Sequence, residues 1–232
     1  MLTKGGLFIV IEGTDGSGKG TQTKLLLDRL QREGFPVASF DFPQYHKPSS
    51  QLVRNYLQGE YGTKPEDVSP KQASLFYAVD RFDAAPAIRK ALGENKVVVA
   101  NRYVASNMGH QGAKFSDDRK RMAFFKWLDE LEYHIFNIPQ PDINIILHVP
   151  AAVAQKLVDL KKGKEREFLE GKKRDLHEGD LTHLERAEKV YLQLAELFPK
   201  KFQLIECAPK GKLFSLESVH GKIWQKIKPR LR

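Results

Sequence analysis

Cysteine is almost absent from this 232-residue chain, which holds a single one, Cys207. One thiol excludes an internal disulfide and a cysteine-built metal cage. Its place in the apolar run from Phe202 to Cys207 marks it as a core residue. Long hydrophobic runs are missing too. The longest, Leu7-Phe8-Ile9-Val10-Ile11, falls far short of the roughly 20 residues that a membrane-spanning helix needs. Lys4 is the one charged side chain before that run, Glu12 follows it directly, and no small-residue cleavage site is present, so the expectation is a cytoplasmic protein with no secretory signal and no membrane partner. Internal repeats and Pro/Gly/Ser linkers are likewise wanting, and residues 1–232 read as one domain. Acidic residues are in the minority, 29 against 38 basic, and the resulting net charge of +9 implies a polyanionic partner: nucleic acid, an anionic surface or nucleotide phosphates.

What is present fits a globular protein, since 41% hydrophobic and 29% charged residues suffice for a core and a solvated surface. Five short apolar, often β-branched segments read as strands covered on both faces: Leu7 to Ile11, Val37 to Phe42, Lys96 to Ala100, Ile143 to Val149 and Phe202 to Cys207. Helical periods run between and after them, over Lys19 to Glu33, Pro70 to Leu92, Asp117 to Phe136, Ala151 to Lys161, Leu181 to Phe198 and Phe214 to Lys228. Strand alternating with helix predicts an α/β fold on a parallel sheet, with ligands bound beyond the carboxyl ends of the strands.

The first strand runs into Gly13-Thr14-Asp15-Gly16-Ser17-Gly18-Lys19-Gly20-Thr21, and a helix follows at once. This is the spacing of a phosphate-binding loop. Glycines let backbone N–H groups turn around a phosphate, the helix amino terminus adds its dipole, and Lys19 brings a point charge to the outer phosphates. Gly20 stands where such loops carry the magnesium-ligating hydroxyl, which appears one residue later at Thr21. The second strand ends at Phe42-Pro43, a corner that either places aromatic rings at a pocket rim or packs on the core. Phe76 and Arg81 lie five residues apart on the long helix, a ring to stack a base and a guanidinium to grip a phosphate, or else a core ring and a solvated cation. The third strand delivers Asn101-Arg102-Tyr103, with an amide where a phosphate-loop enzyme usually offers magnesium an acid. Residues 160–178 are glycine-containing and densely charged, and read as a mobile basic lid.

Together these segments resemble the thymidylate kinase family. Glu12-Gly-x-Asp15-Gly-x-Gly-Lys19 is similar to its phosphate loop, Phe42-Pro43 to its second-strand corner, and Leu75-Phe76-x-x-x-x-Arg81 to its acceptor helix. Asn101-Arg102-Tyr103 resembles its Asp-Arg-Tyr signature, and Asp175 to Ala195 the end of its lid and the helix after it. The resemblance implies a three-layer P-loop NTPase fold with a central parallel five-stranded sheet and helices on both faces. It also implies transfer of the ATP γ-phosphate to dTMP in nucleotide biosynthesis, with Mg²⁺ as cofactor, small-molecule nucleotides rather than nucleic acid as partners, and a homodimer. Within it, Asp15 meets the acceptor sugar, Phe76 stacks on thymine, Arg81 and Arg102 hold the acceptor phosphate, and Asn107 and Gln111 lie near the base or sugar. The phosphate loop has no arginine, so Arg166 or Arg174 of the lid inherits the helper role, and Asp15, Thr21 or Glu178 would serve the metal. A nucleotide phosphate is already an anionic nucleophile, so His110 is not assigned as a base. A kinase for dUMP or UMP, or a binding module weakened through Asn101, is the alternative. The apolar residues of the segment from Met122 to Leu131 fit either a dimer face or the core.

Overall fold

A computed structural model describes residues 5–159 and 180–231. Its five strands are β1 (Phe8–Glu12), β2 (Val37–Asp41), β3 (Val97–Asn101), β4 (Ile143–His148) and β5 (Phe202–Glu206). All pair in parallel, in the order β2-β3-β1-β4-β5. Its helices are α1 (Lys19–Arg32), α2 (Gln51–Gln58), α3 (Pro70–Gly93), α4 (Val104–Gly112), α5 (Asp118–Asp129), α6 (Ala151–Asp159), α7 (Leu181–Leu197) and α8 (Leu216–Ile227).

Successive side chains of a strand point to opposite faces, and β1 builds the three layers this way. Phe8 and Val10 join one core cluster with Ala84 and Ile88 of α3, Val104 of α4, Phe124 of α5 and Leu194 of α7. Ile9 and Ile11 join the other, with Leu26 and Leu30 of α1 and Ile223 and Ile227 of α8. The fold is therefore the α/β sandwich expected of a phosphate-loop protein. Full coverage of every strand was too broad an expectation, because β2 and β5 are the sheet edges and are only partly buried.

Two helices escape the sequence pattern. Helix α4 has eight of its nine residues buried, so it has no polar face to produce a period, and Ser106, Asn107, Gly109 and Gly112 are poor helix formers. Helix α2 is only eight residues long. The helix read over Asp117 to Phe136 ends at Asp129 and continues as a wider π turn through Glu130–Ile135. Phe124, Phe125, Leu128 and Leu131 are buried, and Met122 and Trp127 pack against the same core, so that segment serves the interior.

The register decides what meets at the carboxyl edge. Ile11 of β1 lies beside Asn101 of β3, and Asn101 beside Asp41 of β2. The loops leaving β1, β3 and β2 are thus neighbours.

Candidate active site

The turn from β1 into α1 is a cradle that only glycine permits. Gly16 has φ +84°, and a Cβ there would lie 2.0 Å from the carbonyl oxygen of Ala154; at Gly13, with φ +138°, it would lie 2.5 Å from that of Leu147. Gly18, at φ 86°, opens α1 with no side-chain cap, so the amino end of the helix opens onto the loop. The hydroxyls of Thr14 and Ser17 are buried with no hydrogen-bond partner among the described residues. Lys19 is buried, and its Nζ donates to the Thr14 carbonyl at 2.7 Å, 4.0 Å from Asp15. Orphan donors, a helix amino end and a buried ammonium around a bare backbone are the requirements of a phosphate group. Gly20 and Thr21 are exposed on the first turn of α1.

Arg102 faces this loop from the end of β3. Its guanidinium donates to Asp15 in a close ion pair, and its Nη1 lies 3.4 Å from both Ser106 Oγ and His110 Nε2. Burial opposes its charge, but Asp15, Tyr191, Glu12 and Tyr45 together outweigh that and raise its basicity further. The backbone is unusual, with φ 64° in the left-handed region, and its N–H donates to the Ile11 carbonyl at 2.9 Å. Next to it, Asn101 Nδ2 donates to Asp41 Oδ1 at 2.8 Å. A carboxylate therefore does stand at this edge, supplied by β2, where the strand-end reading did not look. His110 is buried and stacked on His183 with ring centroids 5.9 Å apart. Burial drives the His110 pKa well below the usual histidine value and that of His183 to about 4, so both rings are neutral near pH 7.

The second arginine has a different setting. Arg81 is buried, and its Nε donates to Glu132 Oε2 at 2.7 Å while its Nη2 closes the ion pair on Oε1. Asn107 Nδ2 donates to the Ser74 carbonyl at 3.1 Å and approaches Glu132 Oε1 at 3.4 Å. Arg81 and Asn107 thus form one cluster around Glu132, while Arg102 belongs to Asp15 and the phosphate loop. Gln111 is 1% exposed, and neither amide atom has a hydrogen-bond partner among the described residues. Phe76 packs against Tyr61 at 5.5 Å and Tyr56 at 6.2 Å. Tyr77, four residues before Arg81, shares its helical face, a position that the five-residue spacing to Phe76 does not have. Phe42 and Pro43 are buried, with the Phe42 ring 5.5 Å from that of Tyr103, so these two residues of the corner pack on the core.

Arg166, Arg174 and Glu178, with the expected lid, lie outside the described residues. Among the described residues no group of three or more His, Cys, Asp or Glu side chains is placed to hold a metal. Asp15 and Asp41 beside a phosphate cradle fit an ion that arrives on nucleotide phosphates and takes few protein oxygens, as Mg²⁺ does.

Comparison with known proteins bears on the family and the fold. The sequence profile of the family described as thymidylate kinase matches residues 11–223. A probable thymidylate kinase of Pyrococcus horikoshii is 30% identical over 227 residues, covering 97% of this chain and 98% of that protein. The Mycobacterium tuberculosis thymidylate kinase is 32% identical over 149 residues, 64% of this chain and 68% of its own length. Among solved structures, thymidylate kinase from Candida albicans superposes with a TM-score of 0.72 over 97% of this chain and 92% of that one, at 20% identity, a likeness of fold.

Proposed function

Because this chain belongs to the thymidylate kinase family and is a phosphotransferase of the P-loop nucleoside-monophosphate kinase type, we propose that it transfers the γ-phosphate of ATP to dTMP, giving dTDP and ADP. The observation that carries the reading is the close pairing of Arg102 with Asp15, which sets a partly buried cation from one strand against a phosphate cradle on the next. Two phosphorylated molecules can meet there end to end. Backbone N–H groups from Gly13 to Thr21, with Lys19, hold the donor phosphates. Arg102 holds the acceptor phosphate, and Asp15 aligns Arg102 and meets the acceptor sugar.

Arg81, Asn107 and Gln111 line the base and sugar end, with Tyr77 joining Phe76 as an aromatic wall. The unpartnered amide of Gln111 supports this, because a buried amide left without protein partners is suited to a ligand's polar edge. The acceptor oxygen is already anionic and needs no deprotonation, so the reading requires no general base. The chain's own contribution is alignment and charge: Lys19 and Arg102 spread positive potential over the transferring group. Asp15, with Thr21 and Glu178 as further oxygens, would hold Mg²⁺ arriving on the nucleotide, and the ion would supply Lewis-acid neutralisation of the same charge. Arg166 or Arg174 supplies the remaining cation.

The active form is a cytoplasmic homodimer of one-domain subunits. Leu75, Val79 and Phe82 recur at i, i+4 and i+7 on α3 and are 40%, 42% and 53% exposed, an apolar stripe suited to a second copy.

The test is ADP release from ATP and Mg²⁺ with dTMP, dUMP, UMP, CMP and AMP in parallel. A preference for dTMP of at least about tenfold in kcat/KM is the expected result. Turnover of another monophosphate moves the substrate, and nucleotide binding without turnover of any replaces the enzyme reading with a binding module.

A further inference from the structure

Glu12 ends β1 and is completely buried, yet the phosphate chemistry above makes no use of it. An enclosed carboxylate persists only where hydrogen-bond donors surround it. Oε1 accepts the backbone N–H of Tyr103 at 2.7 Å and of Ser106 at 3.2 Å. Oε2 accepts the hydroxyl of Ser106 at 2.7 Å and that of Tyr191 at 3.3 Å. Three of these four donors belong to the turn that follows Arg102.

That turn holds Arg102 at φ 64°. A non-glycine residue in this region is disfavoured, and its surroundings must over-determine it. Here the last two residues of β1 hold successive amides, Ile11 taking the N–H of Arg102 and Glu12 that of Tyr103. The fourth donor comes from α7. A Cβ on Gly109 would lie 2.6 Å from the Tyr191 ring, so the bare backbone of α4 lets the ring lie flat and its hydroxyl reach Glu12. Burial pushes the Glu12 carboxyl toward its neutral form, while Ser106, Arg102, Tyr103 and Lys19 favour its charge.

We propose that Glu12 is a positioning residue for phosphoryl transfer: its carboxylate fixes the turn that aims the Arg102 guanidinium, and Tyr191 ties that setting to helix α7. The inference rests on the acceptor-phosphate role proposed for Arg102.

Glu12→Gln keeps the size and one acceptor oxygen but replaces Oε2 by an amide that cannot accept the two hydroxyls. Steady-state kinetics with dTMP and ATP varied separately, and urea unfolding, are compared for the parent, E12Q, R102A, the double variant and Y191F. The expectation for E12Q is a loss of at least about tenfold in kcat/KM for dTMP with KM for ATP within about twofold, and a further loss below about twofold in the R102A background. Y191F shows the same pattern more weakly. Equal losses toward both substrates, or the full E12Q penalty on top of R102A, reduce Glu12 to a structural residue and overturn the proposal. If E12Q does not fold, Ser106→Ala and Y191F carry the test, since both leave the backbone amides their acceptor. Absence of dTMP turnover in the parent sinks the substrate reading first. An unchanged dTMP KM in R102A sinks the Arg102 role, whereas a raised one with E12Q unaffected sinks the Glu12 proposal alone.

Discussion

Arg81 of α3 and Glu132 of the π turn after α5 form an ion pair sealed from water, with side chains 2% and 0% exposed. The guanidinium spends Nε and Nη2 on the carboxylate, and Nη1 lies 3.4 Å from the Tyr103 carbonyl. Removing one member of such a pair leaves an uncompensated charge in the interior, whereas replacing both by apolar groups of similar volume does not.

Glu132→Gln is therefore expected to lose about 3 kcal/mol of stability, and Arg81→Met/Glu132→Leu to return within about 1 kcal/mol of the parent. Urea unfolding measures both. The double variant keeps a raised KM for dTMP, because the base end of the site has lost its cation. A double variant as unstable as the single one would show that the pair is not the source of the loss.

Asn101 donates to Asp41 at 2.8 Å across the ends of β3 and β2. Restoring an acid by Asn101→Asp sets two carboxylates at that distance, and one must hold a proton or move away. The expected result is a loss of about 1–2 kcal/mol at pH 8 that shrinks toward pH 5, where protonation relieves the repulsion. Asp41→Asn/Asn101→Asp, which swaps the two groups, recovers the stability. Denaturation at both pH values decides the matter, and a pH-independent loss would refute it.

His148, at the end of β4, lies between Glu206 Oε2 at 2.6 Å from Nδ1 and Glu188 Oε1 at 2.8 Å from Nε2. Burial works against its charge, but the bonds to Glu188 and Glu206 prevail and hold its pKa above the usual 6.5. A histidine raised in the folded state contributes stability that is complete below the unfolded value and is lost as pH climbs through the folded one. The stability difference between the parent and His148→Gln should thus be largest near pH 6 and decline toward about pH 9. Paired urea titrations across that range test the sign, and a difference that grows with pH would contradict the assignment.

Phe82 of the α3 stripe packs on Phe136 with ring centroids 5.2 Å apart, and Ile135, next to Phe136 in sequence, is 66% exposed. Val79→Glu puts a charge in the middle of the stripe without touching the core. Light scattering should report a dimer for the parent and a monomer for the variant, whose unfolding midpoint in dilute solution changes little. A monomeric parent removes the dimer.

The sequence alone determined the five-strand alternation, the phosphate loop and the arginine after the third strand, because each is a local pattern: apolar runs bounded by turns, glycines at fixed spacing, a cation at a strand end. Tertiary structure decided what those residues hold. Helix α4 was illegible because burial on all sides erases the period by which a helix is read. The five-residue spacing names Phe76 and Arg81, but helix geometry also sets Tyr77 on the arginine's face, and only the fold brings the buried Glu132 to two of the guanidinium nitrogens. Asp41 reaches Asn101 from a strand sixty residues earlier, and Tyr191 reaches Glu12 across 179 residues. No local window contains such pairs, since parallel register and helix packing, rather than sequence neighbourhood, set the distance between their atoms.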